Sequence, residues 1–149
     1  MEKIEKEAYI LGAIFTFANR LQFLGDKLYE NISMKQWLLI AVISKCKSYP
    51  PSISEIAEII GSSRQNVKKM ALILQERGFV SLDKDSNDAR VIRITLTPKC
   101  LTYFQEKEEK ELQFMSSLFD NFDETHTNGL YEGLAKLAEN ITEMENCNE

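Results

Sequence analysis

The stretch SISEIAEIIGSSRQNVKKMALILQERGFV, residues 52–80, decides the fold of this chain. Ser52-Ile53-Ser54-Glu55 fits a capping box, in which the serine hydroxyl takes a free amide and the glutamate reaches back. It predicts a short helix with Ile56, Ala57, Ile59 and Ile60 facing inward, stopped by Gly61. Ser62-Ser63 restarts a helix at once, with Val67, Met70, Ala71 and Leu74 on one face. Gly78 behind Arg77 is a C-terminal stop. Two short helices joined by a tight glycine-containing turn make a helix-turn-helix pattern.

The period then changes from 3.6 to 2. Residues 79–83 and 91–96 read as two strands around a turn at 85–90, within KDSNDARVIRITLT (residues 84–97). A helix-turn-helix followed by a hairpin suits duplex DNA. The helix fits the major groove, and the hairpin at its side reaches phosphates or the minor groove. With Ser63 as cap, the second helix offers Arg64, Gln65, Asn66, Lys68 and Lys69 on its exposed N-terminal face. Arginine pairs with guanine, and glutamine or asparagine with adenine, through two hydrogen bonds, while lysines suit phosphates. Arg90 at the hairpin tip is a candidate for a minor groove or a phosphate clamp, with Asp88 holding the turn or orienting that arginine. The alternative for these residues is an ordinary solvated face.

Working outward, residues of about 4–28 carry apolar side chains at helical spacing, from Ile4, Ala8 and Leu11 through Leu24 and Leu28. Tyr9, Ile10, Phe17 and Phe23 lie off that stripe, so this helix needs more than one apolar partner. Ser33-Met34-Lys35-Gln36 fits a second capping box, with Ile32 and Trp37 placed as a hydrophobic staple. Pro98 suits the first turn of a helix of about 98–120. A last helix of about 125–145 repeats Leu130, Leu134, Leu137, Ile141 and Met144, a seam suited to another helix. His126 falls in a loop or at that helix's start. The fold expected is mainly α with a small β wing, in the order α-α-α-α-β-β-α-α.

The chain has 149 residues, one His and three Cys, and a formal net charge of −5. Residues 62–99 nevertheless hold eight Lys and Arg against four Asp and Glu. The positive field is concentrated where the helix-turn-helix and hairpin lie, and the local field decides what a polyanion meets. Cys46, Cys100 and Cys147 are widely spaced and without CxxC, which argues against a disulfide framework or a zinc site. Cys100 reads as a small buried apolar residue; the alternative is a thiol activated by neighbouring Lys99. No catalytic constellation is visible, and neither a cofactor nor a metal is expected. No apolar run matches a membrane span and no leader pattern is present, so a cytoplasmic protein is expected.

On these residues, 33–97 resembles the MarR family of winged-helix transcription regulators. SISEIAEIIGSSRQNVKKMALILQERGFV is similar to that family's helix-turn-helix, and Asp88-Ala89-Arg90 followed by VIRITLT is similar to its wing signature. Cys100, where the family often has glycine, and Leu72-Ile73, where polar residues are common, depart from the pattern. The resemblance implies a single domain over 1–149, with 33–97 as the DNA-binding core and 1–30 and 98–146 as dimerisation helices. It implies a homodimeric repressor on a pseudo-palindromic operator of double-stranded DNA, with no membrane partner. Arg90 would be the minor-groove arginine, Asp88 its wing partner, and residues 64–69 the recognition-helix contacts. It also implies a small-molecule effector, for which Phe15, Trp37 and Tyr103 are candidate pocket residues, against the plainer reading of core aromatics. The rival class is a winged helix used as a protein-interaction module without duplex DNA.

Overall fold

The computed structural model describes residues 1–148. The elements are α1 (Lys3–Gly25), α2 (Met34–Lys45), α3 (Ile53–Ile60), α4 (Arg64–Glu76), β1 (Val80–Lys84), β2 (Ile92–Leu96), α5 (Pro98–Leu118) and α6 (Glu124–Cys147). This is the winged helix-turn-helix order expected. No helix among the described residues is long and apolar enough to cross a membrane. The chain divides into a compact unit of residues 1–110 and a second unit from Glu111 onward.

Three serines set the starts of α2, α3 and α4. Ser33 Oγ accepts the Gln36 amide at 3.2 Å and Gln36 Oε1 accepts the Ser33 amide at 3.0 Å. Ser52 and Glu55 repeat the arrangement at 3.1 and 2.7 Å. Ser63 Oγ accepts the Asn66 amide at 3.1 Å. Each cap of this kind contributes about 1 kcal/mol. Between them the core closes around Leu39, Ile43, Ile53, Ile56, Val67, Ala71, Leu74, Val80 and Ile94. Each fully buried aliphatic side chain contributes roughly 1.5–3 kcal/mol.

The helices differ from expectation in two places. In α3, Ile56 and Ala57 are buried as expected and Ile60 is half-buried, but Ile59 is 61% exposed and Ile53 takes the inward position. Eight residues make barely two turns, and the inward face runs through 53, 56, 57 and 60, which leaves Ile59 on the other side. Helix α1 ends at Gly25 rather than continuing to residue 28. The Leu28 amide turns back to the Gly25 carbonyl at 2.9 Å, and Asp26 Oδ1 accepts the Met34 amide at 2.6 Å. That turn delivers Tyr29 and Ile32 into the core.

The wing is an antiparallel pair, with Val80 opposite Leu96 and Lys84 opposite Ile92. A third segment joins it. Ser52 bridges to Arg93, and the Ile94 amide donates to the Pro51 carbonyl at 3.0 Å. A two-stranded ribbon is marginal by itself, so this bridge to the start of α3 anchors the wing. Gly78, at φ +80°, turns the chain from α4 into β1.

Helix α1 behaves unlike the core. Only Gly25 is buried in it, while Ile4, Tyr9, Leu11, Phe15 and Phe23 are all more than half exposed. In the second unit, Asp123 caps α6 by accepting the His126 amide at 2.8 Å. His126 is therefore in the first turn, and its Nδ1 lies 2.6 Å from the same carboxylate. These contacts, the amide first, hold the Asp123 carboxyl below its ordinary range. Leu130, Leu134, Ile141 and Met144 line an exposed stripe of α6, with Leu137 half-buried among them.

Candidate nucleic-acid interface

The site begins at the turn between α3 and α4. Gly61 takes φ +68°, a left-handed conformation that costs glycine nothing. The Ser62 amide closes back on the Ala57 carbonyl at 3.0 Å, and Ser63 caps the next helix one residue later. Because α4 buries Val67, Ala71 and Leu74, its opposite face must be outward. Arg64, Gln65, Asn66, Lys68 and Lys69 are all exposed there. The Ser63 hydroxyl is already engaged as a cap acceptor, so its first role is to start the helix.

The wing turn is built on two aspartates. Asp85 Oδ2 accepts the amides of Asn87 and Asp88 at 3.0 and 3.1 Å, and the Asp85 amide donates to the Val91 carbonyl at 2.8 Å. Asp88 then grips Arg90. Its Oδ1 accepts the Arg90 amide and Nε, and its Oδ2 accepts an Arg90 terminal nitrogen, all at 3.0 Å. The Arg90 side chain is still 91% exposed. The fork from Arg90, and then its amide, hold the Asp88 carboxyl below the usual range, and the same pairing raises the Arg90 guanidinium. Asp88 thus fixes the direction of the arginine without hiding it.

A cleft of about 520 Å³ lies between recognition helix and wing, lined by Arg64, Gln65, Lys68 and Arg90 together with Ser52–Ser54, Val91 and Ile92. Four of the residues singled out from sequence therefore meet in one concavity. Lys69 instead lines a shallower groove along α4 with Gln65, Lys68, Leu72, Ile73 and Glu76. Asn66 is exposed but lines neither. Sequence reading missed Ser52–Ser54 as a wall of the cleft. The capping box located the start of α3, but its adjacency to Arg90 arises only from the bridge to β2.

Three basic residues counted in the local excess serve the fold. Arg93 donates Nε–H to Asp85 Oδ1 at 3.0 Å and a terminal N–H to Glu55 Oε2 at 3.3 Å. The Arg77 guanidinium donates to the Asn31 carbonyl. Lys99 Nζ donates to the Arg77 carbonyl at 2.7 Å, closing the end of α4. Lys99 is thus committed elsewhere, and burial pushes the Cys100 thiol up to about 11. Cys100 is an inert core residue rather than an activated thiol. Of the candidate pocket residues, Trp37 and Tyr103 pack against the core, with Tyr103 touching the rings of Tyr29, Phe79 and Phe104. Phe15 stands 68% exposed on α1.

No protein-family model matches the chain. It is 25% identical over 122 residues to the transcriptional repressor MprA of Escherichia coli K12, covering 80% of this chain and 69% of that one. A MarR/EmrR family transcriptional regulator from Acinetobacter sp. ADP1 superposes with TM-score 0.77 at 21% identity, over 92% of this chain and 97% of that one. FabT of Streptococcus pneumoniae, solved in complex with DNA, superposes with TM-score 0.68 at 17% identity, over 95% and 99%. The serine-capped helix pair, the Asp-held wing arginine and these likenesses converge: the chain has the winged-helix fold of the MarR-type transcription regulators, and it is to that family that it is similar.

Proposed function

We propose that this protein is a sequence-specific DNA-binding transcription regulator, a homodimeric repressor of a pseudo-palindromic operator. The observation that carries this reading is the cleft shared by Arg64, Gln65, Lys68 and Arg90. Helix α4 enters the major groove with Arg64, Gln65 and Asn66 at base edges and Lys68 and Lys69 at phosphates. Arg90, aimed by Asp88, reaches the adjacent minor groove or its phosphates. The likeness to a named repressor and to a fold solved on DNA supports the same reading.

The dimer is formed by residues 1–30 and 98–146, whose exposed apolar side chains want a second copy. Two-fold symmetry then sets the recognition helices one duplex turn apart, ~34 Å. The acidic remainder keeps the dimerisation body off the polyanion. A small-molecule effector that relieves binding fits the same reading, with Phe15, Trp37 and Tyr103 as its candidate lining once a partner covers α1. The protein works in the cytoplasm.

Arg90→Ala tests this directly. In a mobility-shift or anisotropy titration against the protein's own upstream region, the variant should bind about 10–100-fold more weakly and lose ~1 from the salt slope. Its dimer should stay intact. Wild-type affinity itself should fall ~10³-fold or more between 50 and 200 mM salt if roughly 6–10 phosphates are neutralised. Absence of any wild-type shift on native promoters would favour the interaction-module class instead.

A further inference from the structure

We propose that Arg93 is a positioning residue, a strut that ties the root of the wing to the start of α3 and so sets where Arg90 stands relative to the recognition helix. The proposal rests on the DNA-binding reading above.

The geometry is a continuous chain of charge-assisted hydrogen bonds. Glu55 Oε2 accepts both the Ser52 amide at 2.7 Å and an Arg93 terminal N–H at 3.3 Å. The same Arg93 nitrogen donates to the Pro50 carbonyl at 3.3 Å, and the guanidinium lies over the Tyr49 ring, 5.4 Å from its centroid. The Arg93 Nε–H bonds Asp85 Oδ1 at 3.0 Å. Asp85 Oδ2 holds the Asn87 and Asp88 amides, and Asp88 holds Arg90. One end of this relay is the Ser52–Ser54 wall of the cleft and the other is the arginine at its mouth.

Arg93 is poorly placed to touch DNA itself. Its side chain is 27% exposed, and its Nε and one terminal nitrogen are engaged by Asp85, Glu55 and Pro50. The side chains of Asp85 and Glu55 are 18% and 42% exposed. Partly exposed ion pairs add little to global stability. Their effect here is local, because a two-stranded ribbon is easily bent and needs a tether to hold one angle. Lysine would not replace the arginine, since a point charge cannot bond two carboxylates and a carbonyl along one planar fork. The guanidinium of Arg93 is raised, first by Asp85, and the Asp85 carboxyl is lowered, first by Arg93, in keeping with a made pair.

The test uses the full-length protein with Arg93→Met, and Asp85→Asn as a second variant should the first fail to fold. Hydrogen exchange without DNA reads the wing directly, and exchange of the Asn87 and Asp88 amides should accelerate by about tenfold while α4 stays protected. Duplex affinity should fall by about tenfold, and the salt slope should drop by no more than the ~1 that Arg90→Ala removes, since the only phosphate contact disturbed is that of Arg90. In an Arg90→Ala background the same substitution should cost little more, because there is no longer an arginine to position. Full additivity with Arg90→Ala, or unchanged wing exchange, overturns the proposal. If the wild type binds no duplex, the functional reading fails, and the exchange measurement still decides whether the strut exists.

Discussion

Leu74 in α4 and Phe15 in α1 are both large apolar residues on well-formed helices, yet Leu74 is fully buried and Phe15 is 68% exposed. The contrast holds element by element. The winged-helix core turns one face of each helix inward, and the outward N-terminal face of α4 carries Arg64, Gln65, Asn66, Lys68 and Lys69. Helix α1 is apolar on several sides and buries only its terminal glycine. The core is closed within one chain, whereas α1 and α6 each leave large apolar side chains exposed. Scattered exposed apolar residues need no explanation, but contiguous ones mark an interaction surface.

The largest effect should come from breaking that second surface. Replacing Leu11 and Phe15 together by glutamate should raise the dissociation constant of the proposed dimer ~10³-fold or more, because charge would have to enter the contact proposed for α1. Sedimentation velocity should then show a monomer at micromolar concentration, with the winged-helix far-UV signal retained. An unchanged dimer would put the interface elsewhere. Leu74→Ala attacks the other side of the comparison. It should cost roughly 3 kcal/mol through the cavity left behind. Chemical denaturation at fixed protein concentration reads this loss, and a value under about 1 kcal/mol would mean the core is more plastic than its burial implies.

The smallest effect should be on pH. The Asp85 and Asp88 carboxyls are both lowered from 3.8, the first chiefly by Arg93 and the second chiefly by Arg90. A lowered carboxyl stabilises the ordered wing above its unfolded value and loses that contribution only as pH falls through the folded value. Protection of the wing amides should therefore be flat from pH 8 to about 5 and fade below about pH 4. Loss of wing order already near pH 6 would point to a different titrating group.

The core was legible from sequence because its signals are local. Capping serines, a left-handed glycine and a switch of period each act within a few residues, so helix starts and the hairpin could be placed within a residue or two. The Asp88–Arg90 pairing is also local, being two residues apart. What escaped depends on contacts distant in sequence. Arg93 looked like one more cation of a basic wing, and only its meeting with Glu55, 38 residues earlier, turns it inward. Ser52–Ser54 became part of the cleft for the same reason. The error at Ile59 had another source, since a helix of two turns gives periodicity too few residues to choose a face.

The three thiols follow a gradient, with Cys147 exposed, Cys46 partly covered and Cys100 buried. A small alkylating reagent should therefore count them in that order. Cys100 should react only in molecules whose core has opened, since it is fully buried there. The chain thus carries its own clock for opening, read as the mass that alkylation of the third thiol adds.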